Sequence, residues 1–298
     1  MKVLNIGSLN LDYVYQVDHF VQPGETLSAY TQTVNPGGKG LNQSVALARA
    51  GAEVYHAGCV GVGGESLLQV LQKNHIDTTW MYQVDEIQGN TVIQVTPSGE
   101  NCILLFGGSN QRITSEQIDS TLSAFSHGDY LILQNEVNNL PEIVDKAFEK
   151  GLKIILNPSP YNEKMNMIDL DKISWLLVNE IEAEQISGKK DVEEIWSMIH
   201  NAHPNLSLLI TLGGKGSVAW HVEKKCIEKA SQESFHVQAI DTTGAGDTYT
   251  GYFVSALLEE RPLQECMKRA SLAAAISVTR RGAADSIPER NEVEKTLL

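Results

Sequence analysis

Positive charge is scarce in this sequence. Lys and Arg number 23 against 37 Asp and Glu over 298 residues, a formal net charge of −14, which repels a phosphate backbone and argues against general nucleic-acid binding. Cysteine is scarcer still. Cys59, Cys102, Cys226 and Cys266 stand far apart in no CxxC or Cys/His ligand spacing, so neither a zinc ribbon nor a disulfide framework is indicated, and a reducing cytoplasm fits. No run approaches the 18 or so apolar residues of a membrane span. The N-terminal MKVLNIGSLNLDYV is broken by Asn5, Asn10 and Asp12 and does not resemble a signal peptide. These absences predict a soluble cytoplasmic protein with no membrane partner. Aromatic residues are only 6% of the chain, so its core must be mostly aliphatic. The eight histidines form no metal-ligand pair, and His200 with His203 reads as a solvated helix end rather than a zinc site.

What is present is ordinary globular composition, 42% hydrophobic and 20% charged, which excludes disorder, collagen and coiled coil. At this length roughly two domains of about 150 residues are the prior, although α/β enzymes are often one unit. No repeat, low-complexity segment or Gly/Ser linker marks a boundary, so the chain reads as a single domain, residues 1–298.

Val3 to Ile6 is a short strand entering Gly7-Ser8, and Ser44 to Ala50 a small-residue helix closed by Gly51. Two β-rich stretches, 13–34 and 90–107, the second turning at Pro97-Ser98-Gly99-Glu100, read as insertions forming a small accessory sheet. From about Ile113 strands alternate with helices: Tyr130-Leu133, Ile154-Leu156, Trp175-Val178 and Leu208-Leu212, with Glu142 to Glu149 and Val192 to Ile199 between them. That alternation predicts a mainly parallel sheet covered on both faces, with ligands bound beyond the carboxyl ends of its strands.

The residues after those strands are unusually polar. Ile6 leads into Gly7-Ser8-Leu9-Asn10-Leu11-Asp12, Leu133 into Gln134-Asn135-Glu136, Leu156 into Asn157-Pro158-Ser159, Val178 into Asn179-Glu180, and Ile210 into Thr211-Leu212-Gly213-Gly214-Lys215-Gly216. Any one of these is a turn or a helix cap; five at one sheet edge point to a site. Gly37-Gly38-Lys39-Gly40 precedes the small-residue helix and is either a glycine turn with a cap or a loop that lets backbone approach a ligand. It is not a Walker A loop, because no Ser or Thr follows the lysine. No GxGxxG continues from Gly7, which disfavours a nicotinamide-dependent oxidoreductase.

The most specific segment is Asp241-Thr242-Thr243-Gly244-Ala245-Gly246-Asp247-Thr248, which opens the apolar helix Tyr249 to Leu258. Gly244, Ala245 and Gly246 offer backbone amides at a helix N-terminus, where an anion is favoured. Asp247 is either a cap or a general base beside that cradle, and phosphoryl transfer needs a base and a cradle together. Ser277 to Ser286 reads as a loop closing a long helix that starts near Pro262.

With GGKGLNQ at Gly37 to Gln43, DTTGAGDTYTG at Asp241 to Gly251, and NEIEAE and TLGGKG between them, the whole chain resembles the ribokinase-like, or PfkB, family of carbohydrate kinases. The resemblance implies a three-layer α/β/α sandwich with a mainly parallel central sheet and a small β-sheet lid built from about 13–34 and 90–107, which in the family also makes the dimer contact. It implies sugar contacts at Asn10, Asp12, Gly38, Lys39, Asn42 and Glu136, with Asp247 as catalytic base and Gly244, Ala245 and Gly246 as the anion hole. It implies an ATP site at Asn179, Thr211, Gly213 and Gly216 with Ser271 beside the adenine, and Glu182 near a Mg²⁺–phosphate network. Asp241, Thr243, Ser277, Arg280, Gly282 and Ser286 match the family's loop for a monovalent cation, K⁺, held mainly by carbonyl oxygens. The implied activity is ATP-dependent phosphorylation of the primary hydroxyl of a pentose such as D-ribose. The same chemistry on another sugar or a nucleoside is the alternative, and a non-catalytic sugar or nucleotide sensor ranks below both. Asn35-Pro36 stand where the family often has a small apolar residue, and Ser271 where Asn or His is common; both bear on substrate and nucleotide choice.

Overall fold

In the computed structural model, which describes residues 1–297, the chain starts with β1 (Val3–Ile6), β2 (Asn10–Gln16) and β3 (Thr31–Gly37), then α1 (Lys39–Arg49), β4 (Val54–Val62), α2 (Glu65–Lys73) and β5 (Asp77–Ile87). A pair of strands follows, β6 (Asn90–Val95) and β7 (Asn101–Phe106). The alternating part contains α3 (Ser115–Ser123), β8 (Tyr130–Gln134), α4 (Leu140–Glu149), β9 (Lys153–Asn157), β10 (Trp175–Asn179), α5 (Glu180–Ser187), α6 (Val192–Ala202) and β11 (Ser207–Thr211). The chain closes with β12 (Ser217–Glu223), β13 (Cys226–Gln232), α7 (Ala245–Leu258), α8 (Leu263–Ser277) and α9 (Arg290–Leu297).

Among the described residues the strands form two sheets. The larger has nine strands in the order β13-β12-β11-β10-β9-β8-β1-β4-β5; it is parallel from β11 to β5 and ends in the antiparallel β12–β13 hairpin. The smaller runs β3-β2-β6-β7. Alternation of side chains splits the core in two. Val3 of β1 packs with α1, α7 and α8 residues such as Leu41, Phe253 and Met267. Leu4 and Ile6 face the other way, toward Ile118, Ile143 and Ile195 of α3, α4 and α6. The sandwich expected from the strand–helix alternation is therefore present.

Two corrections concern where things begin. Alternation starts at β1 rather than near Ile113, because β4, α2 and β5 already form parallel crossovers. The strand β4 contains Gly58 and Gly61, and β5 has polar residues at every second or third place, so neither advertises itself as a buried strand. In the small sheet, residues 17–30 contribute no strand, while β2 reaches back to Asn10 and β3 forward to Gly37. Asn10 and Asp12 therefore sit on a strand of the small sheet rather than in a turn after β1.

Helix α1 is seated on the turn that follows β1. A Cβ at Gly40 would overlap the backbone of Gly7 and Ser8, so glycine there lets the helix start touch the turn directly. On its far side α1 meets α7, where a Cβ on Gly251 would overlap Ala46. These two close approaches bring the N-termini of α1 and α7 to one edge of the sheet.

Candidate active site

From β1 the chain builds outward on one side through β4 and β5 and later on the other side through β8 to β11. The carboxyl ends of β1 and β8 thus flank the switch point where an open α/β sheet binds ligands. The Ser8 hydroxyl bridges that point by donating to Glu136 Oε2 and accepts the Gly40 amide at 3.2 Å. The Lys39 amide donates to the same Glu136 oxygen at 3.1 Å. One carboxylate oxygen of Glu136 is thereby fixed by the start of α1. Burial pushes the Glu136 carboxyl upward; Lys39 and the Ser8 hydroxyl oppose the rise and Asp247 adds to it.

The small sheet supplies the next two groups. Asn10 is buried, and its Oδ1 accepts from Asn110 Nδ2 at 2.7 Å. Asp12 Oδ1 accepts the Thr91 hydroxyl at 2.6 Å. Burial raises the Asp12 carboxyl to about 6; the Thr91 bond opposes the shift, and Glu136 and Asp247 add to it.

Asp247 is buried at the start of α7, and it does not cap its own helix. Its Oδ2 accepts from Asn42 Nδ2 at 3.0 Å and its Oδ1 from Gln43 Nε2 at 2.9 Å, both on α1. The capping position belongs to Gly244, left-handed at φ 74, with no side-chain cap. The Ala245 amide turns back to the Thr242 carbonyl at 3.2 Å. The amides of Gly244, Gly246 and Asp247 find no acceptor among the described residues. A Cβ on Gly246 would meet no protein atom within 4 Å, so packing does not account for the glycine, whereas space for an anion does.

Lys39, Glu182, Thr211, Gly244 to Asp247 and Asn157 line a cleft of about 270 Å³. Burial works against the Lys39 charge, but Asp247, Glu136 and Glu182 outweigh it and raise its pKa. Asn179 caps α5, its Oδ1 accepting the Glu182 amide at 2.8 Å while Glu182 Oε2 accepts the Asn179 amide at 3.1 Å. Both also line the cleft, so the cap and the site share residues, and Glu182 keeps Oε1 outside that capping pair. Gly213 and Gly216 lie in the turn beyond Thr211. Ser271 does not line the cleft; its hydroxyl donates to the Glu233 carbonyl at 3.3 Å, beside Ser234, whose hydroxyl holds the Gly214 carbonyl at 2.5 Å.

Asp241 ties two loops together. Its Oδ1 accepts the amide and hydroxyl of Thr243 at 2.9 and 2.7 Å, and its Oδ2 the Gly282 amide at 3.0 Å. Burial would raise this carboxyl, but those donors and Arg281 bring it below its ordinary value. Ser277 and Ser286 spend their hydroxyls on the carbonyls of Ala274 and Ala283, and the Arg280 side chain pairs with Glu292 of α9. Among the described residues no cluster of three or more His, Cys, Asp or Glu could hold a metal. His203 bonds Asp171 at 2.8 Å and His200 stacks on Trp196. The four cysteines are free, and no helix among the described residues is long and apolar enough to cross a membrane.

Sequence reasoning missed Ser8, Gln43, Asn110, Thr91 and Gln134, which hold the expected residues in place. Ser8 and Gln134 lay in the polar segments that follow β1 and end β8, and Gln43 closed GGKGLNQ; Asn110 and Thr91 gave no signal.

An open α/β sheet whose switch point joins a carboxylate-lined pocket to an uncapped helix N-terminus is built to hold a polar ligand beside an anion. Residues 1–290 match the pfkB family of carbohydrate kinases, and the chain belongs to that family. It is 37% identical to a ribokinase of Haemophilus influenzae over 98% of this chain and 97% of that one. A deoxyribokinase of Salmonella typhi is 28% identical over 100% of this chain and 99% of its own. The structure of Arabidopsis thaliana ribokinase with ribose and ATP superimposes with a TM-score of 0.85 at 27% identity, covering 99% and 98% of the two chains.

The Asp12 shift makes a stability prediction. An acid raised in the folded state binds its proton more tightly there, so the wild type loses stability as pH rises from 3.8 to about 6, and the loss is complete above that. Relative to wild type, Asp12→Asn should gain on the order of 1–3 kcal/mol over that range. Denaturant titrations at pH 4, 5, 6.5 and 8 measure it; a gap that does not widen with pH overturns the shift.

Proposed function

We propose that the protein transfers the γ-phosphoryl group of ATP to the primary hydroxyl of D-ribose, giving ribose 5-phosphate and ADP. The observation that carries this reading is the Asp247 carboxylate, held at 3.0 and 2.9 Å by Asn42 and Gln43 beside unengaged helix amides. Asp247 accepts the proton of the sugar hydroxyl as its oxygen attacks the γ-phosphorus and the bond to the ADP oxygen breaks. The amides at Gly244 and Gly246 face the charge that develops on the moving phosphoryl group, while Ala245 holds the turn. Asn10, Asp12, Lys39, Asn42 and Glu136 bind the sugar, with Gly38 letting the backbone approach it. Carboxylates accept from hydroxyls, and a pocket rich in them suits a polyol. ATP runs from the cradle past Asn179 and Thr211 toward Gly213, Gly216 and Ser271.

A Mg²⁺ ion, normally held by one or two carboxylates plus phosphates and water, would neutralise phosphate charge and fits Glu182 and its remaining oxygen at the cleft. K⁺ fits the loops tied by Asp241, because the carbonyls of Asp241, Thr243, Arg280 and Gly282 accept no hydrogen bond from the described residues. Ser277 and Ser286 brace that loop. The small sheet acts as a lid over the sugar. Its outer strand β7 is exposed throughout, with Ile103 56%, Leu104 71% and Phe106 50% exposed, and an apolar edge of that kind favours pairing with a second copy, giving a homodimer. The free thiols fit a reducing cytoplasm. The second reading, transfer to another sugar or a nucleoside, is favoured by the likeness to a deoxyribokinase, since fold does not select the acceptor.

An assay of ADP release across pentoses, deoxypentoses, hexoses and nucleosides tests the reading. D-ribose should give the highest kcat/KM, and Asp247→Asn should lower kcat on the order of 10²–10⁴-fold with both substrates still bound. A fully active Asp247→Asn removes the base; a better acceptor than ribose reassigns the pocket; no turnover with any acceptor brings the sensor reading forward. Replacing K⁺ by Na⁺ in the same assay should lower the rate several-fold, and an unchanged rate removes the cation loop. Sedimentation equilibrium should show a dimer that Leu104→Glu converts to monomer; a wild-type monomer overturns the pairing.

A further inference from the structure

The sheet face beneath α1 and α7 carries polar side chains where strand alternation calls for apolar ones. In β1, Val3 is followed on that face by Asn5; in β4, Val54 by His56; in β8, Ile132 by Gln134. All three polar residues are fully buried. Burial of that kind is unfavourable unless the groups are bonded, so their partners carry information.

They form one connected set that ends on Asp247. Gln134 Nε2 donates to Gln43 Oε1 at 2.8 Å and to Asn5 Oδ1 at 3.0 Å. Asn5 Nδ2 donates to the Gly40 carbonyl at 2.9 Å and the Ser44 hydroxyl at 2.8 Å. Ser44 Oγ lies 2.7 Å from His56 Nδ1 and shares a hydrogen bond with it. Burial holds the His56 imidazole neutral, with its pKa lowered to about 4. Gln43 Nε2 then reaches Asp247 Oδ1 at 2.9 Å. Asn5 and Ser44 have a seating role for α1. Gln134 touches α1 only through the Gln43 side chain: its amide nitrogen serves Asn5 and Gln43, and its Oε1 is unpartnered.

A glutamine beside a carboxylate can present either end of its amide, and the oxygen end repels. By donating to Gln43 Oε1, Gln134 forces the nitrogen end toward Asp247. We propose that Gln43 is a positioning residue for the phosphoryl-transfer step, aiming the Asp247 carboxylate at the acceptor hydroxyl, and that Gln134 acts through it. This rests on the reading of Asp247 as the base. Small misplacements of a reacting group cost rate rather than affinity, which makes the proposal separable from a packing role.

The test uses full-length Gln43→Leu, Gln134→Leu, the double variant and Asp247→Asn, with kcat and both KM values per folded molecule and D-ribose or the panel's best acceptor as probe. Gln43→Leu should lower kcat by roughly 10- to 100-fold with both KM values within about threefold. Gln134→Leu should lower kcat by less, and in the Gln43→Leu background should cost no more than about twofold further, because its effect passes through Gln43. Losses that multiply, a kcat that does not fall, or a change confined to KM overturn the proposal. If Gln43→Leu does not fold, Gln134→Leu alone decides: reduced kcat at constant KM supports the proposal and unchanged kcat overturns it. An Asp247→Asn variant near wild-type turnover sinks the base assignment and the positioning with it. A dead Asp247→Asn beside a normal Gln43→Leu sinks the positioning alone.

Discussion

The site depends on how closely α1 approaches its two neighbours. Gly40 lets the start of that helix touch the turn after β1, and Gly251 lets α7 come against Ala46 on the other side. Adding even a methyl in a packed contact of this kind typically costs about 1–3 kcal/mol, and here it would also move chemistry. Helix α1 carries Lys39, Asn42 and Gln43; α7 carries Asp247 and the free amides. The bond from Asn42 to Asp247 joins positions 205 residues apart in sequence. The two halves of the site meet only because the helices do.

That meeting sets up a polarised pocket in a chain already rich in acid. Glu136, Glu182 and Asp247 act together on one lysine, and their combined field overcomes the effect of burial on the Lys39 charge. The same crowding of like charges contributes to the upward shifts of Asp12 and Glu136, though burial is the larger cause in both. Toward β1 and β8 the walls accept hydrogen bonds; toward the start of α7 they donate them. The first half suits hydroxyl groups and the second an anion, so the local wall chemistry differs from what a net charge of −14 would suggest.

Much of this was legible in the sequence, and the reason is local. Segments such as Asp241 to Thr248 carry their function in backbone conformation and a neighbouring carboxylate, which glycine and aspartate spell out letter by letter. The strand-end rule located Glu136, Asn157, Asn179 and Thr211 for a similar reason, since β8 to β11 are short aliphatic runs with abrupt polar ends. What stayed hidden was non-local. Asn5 and His56 are single polar letters inside strands, and only the register Asn5↔His56 and the packing of α1 over them give them partners; Gln134 stood in a polar strand end, but its partners Asn5 and Gln43 lie about 90 or more residues away in sequence. The strand β5 and the hairpin β12–β13 were hidden too, because partly exposed strands alternate with polar residues and resemble loops. The Ser271 hydroxyl donates to the Glu233 carbonyl, a loop contact that no local pattern announces.

The way the helices begin separates structure from chemistry. Helices α3, α5 and α6 start on side-chain caps from Thr114, Asn179 and Asp191, each worth about 1 kcal/mol. Helices α1 and α7 start on Gly38 and Gly244, with φ of 94 and 74 and no side-chain cap. Asp247 stands in the first turn of α7, where an acid commonly serves the helix's own amides. It is instead turned away to Asn42 and Gln43, which leaves those amides open to the cleft. At α1 the chain completes the start itself, Glu136 and Ser8 accepting the amides of Lys39, Gly40 and Leu41. At α7 nothing in the chain does so, and the simplest physical account of a helix start left open to the cleft is that a ligand completes it.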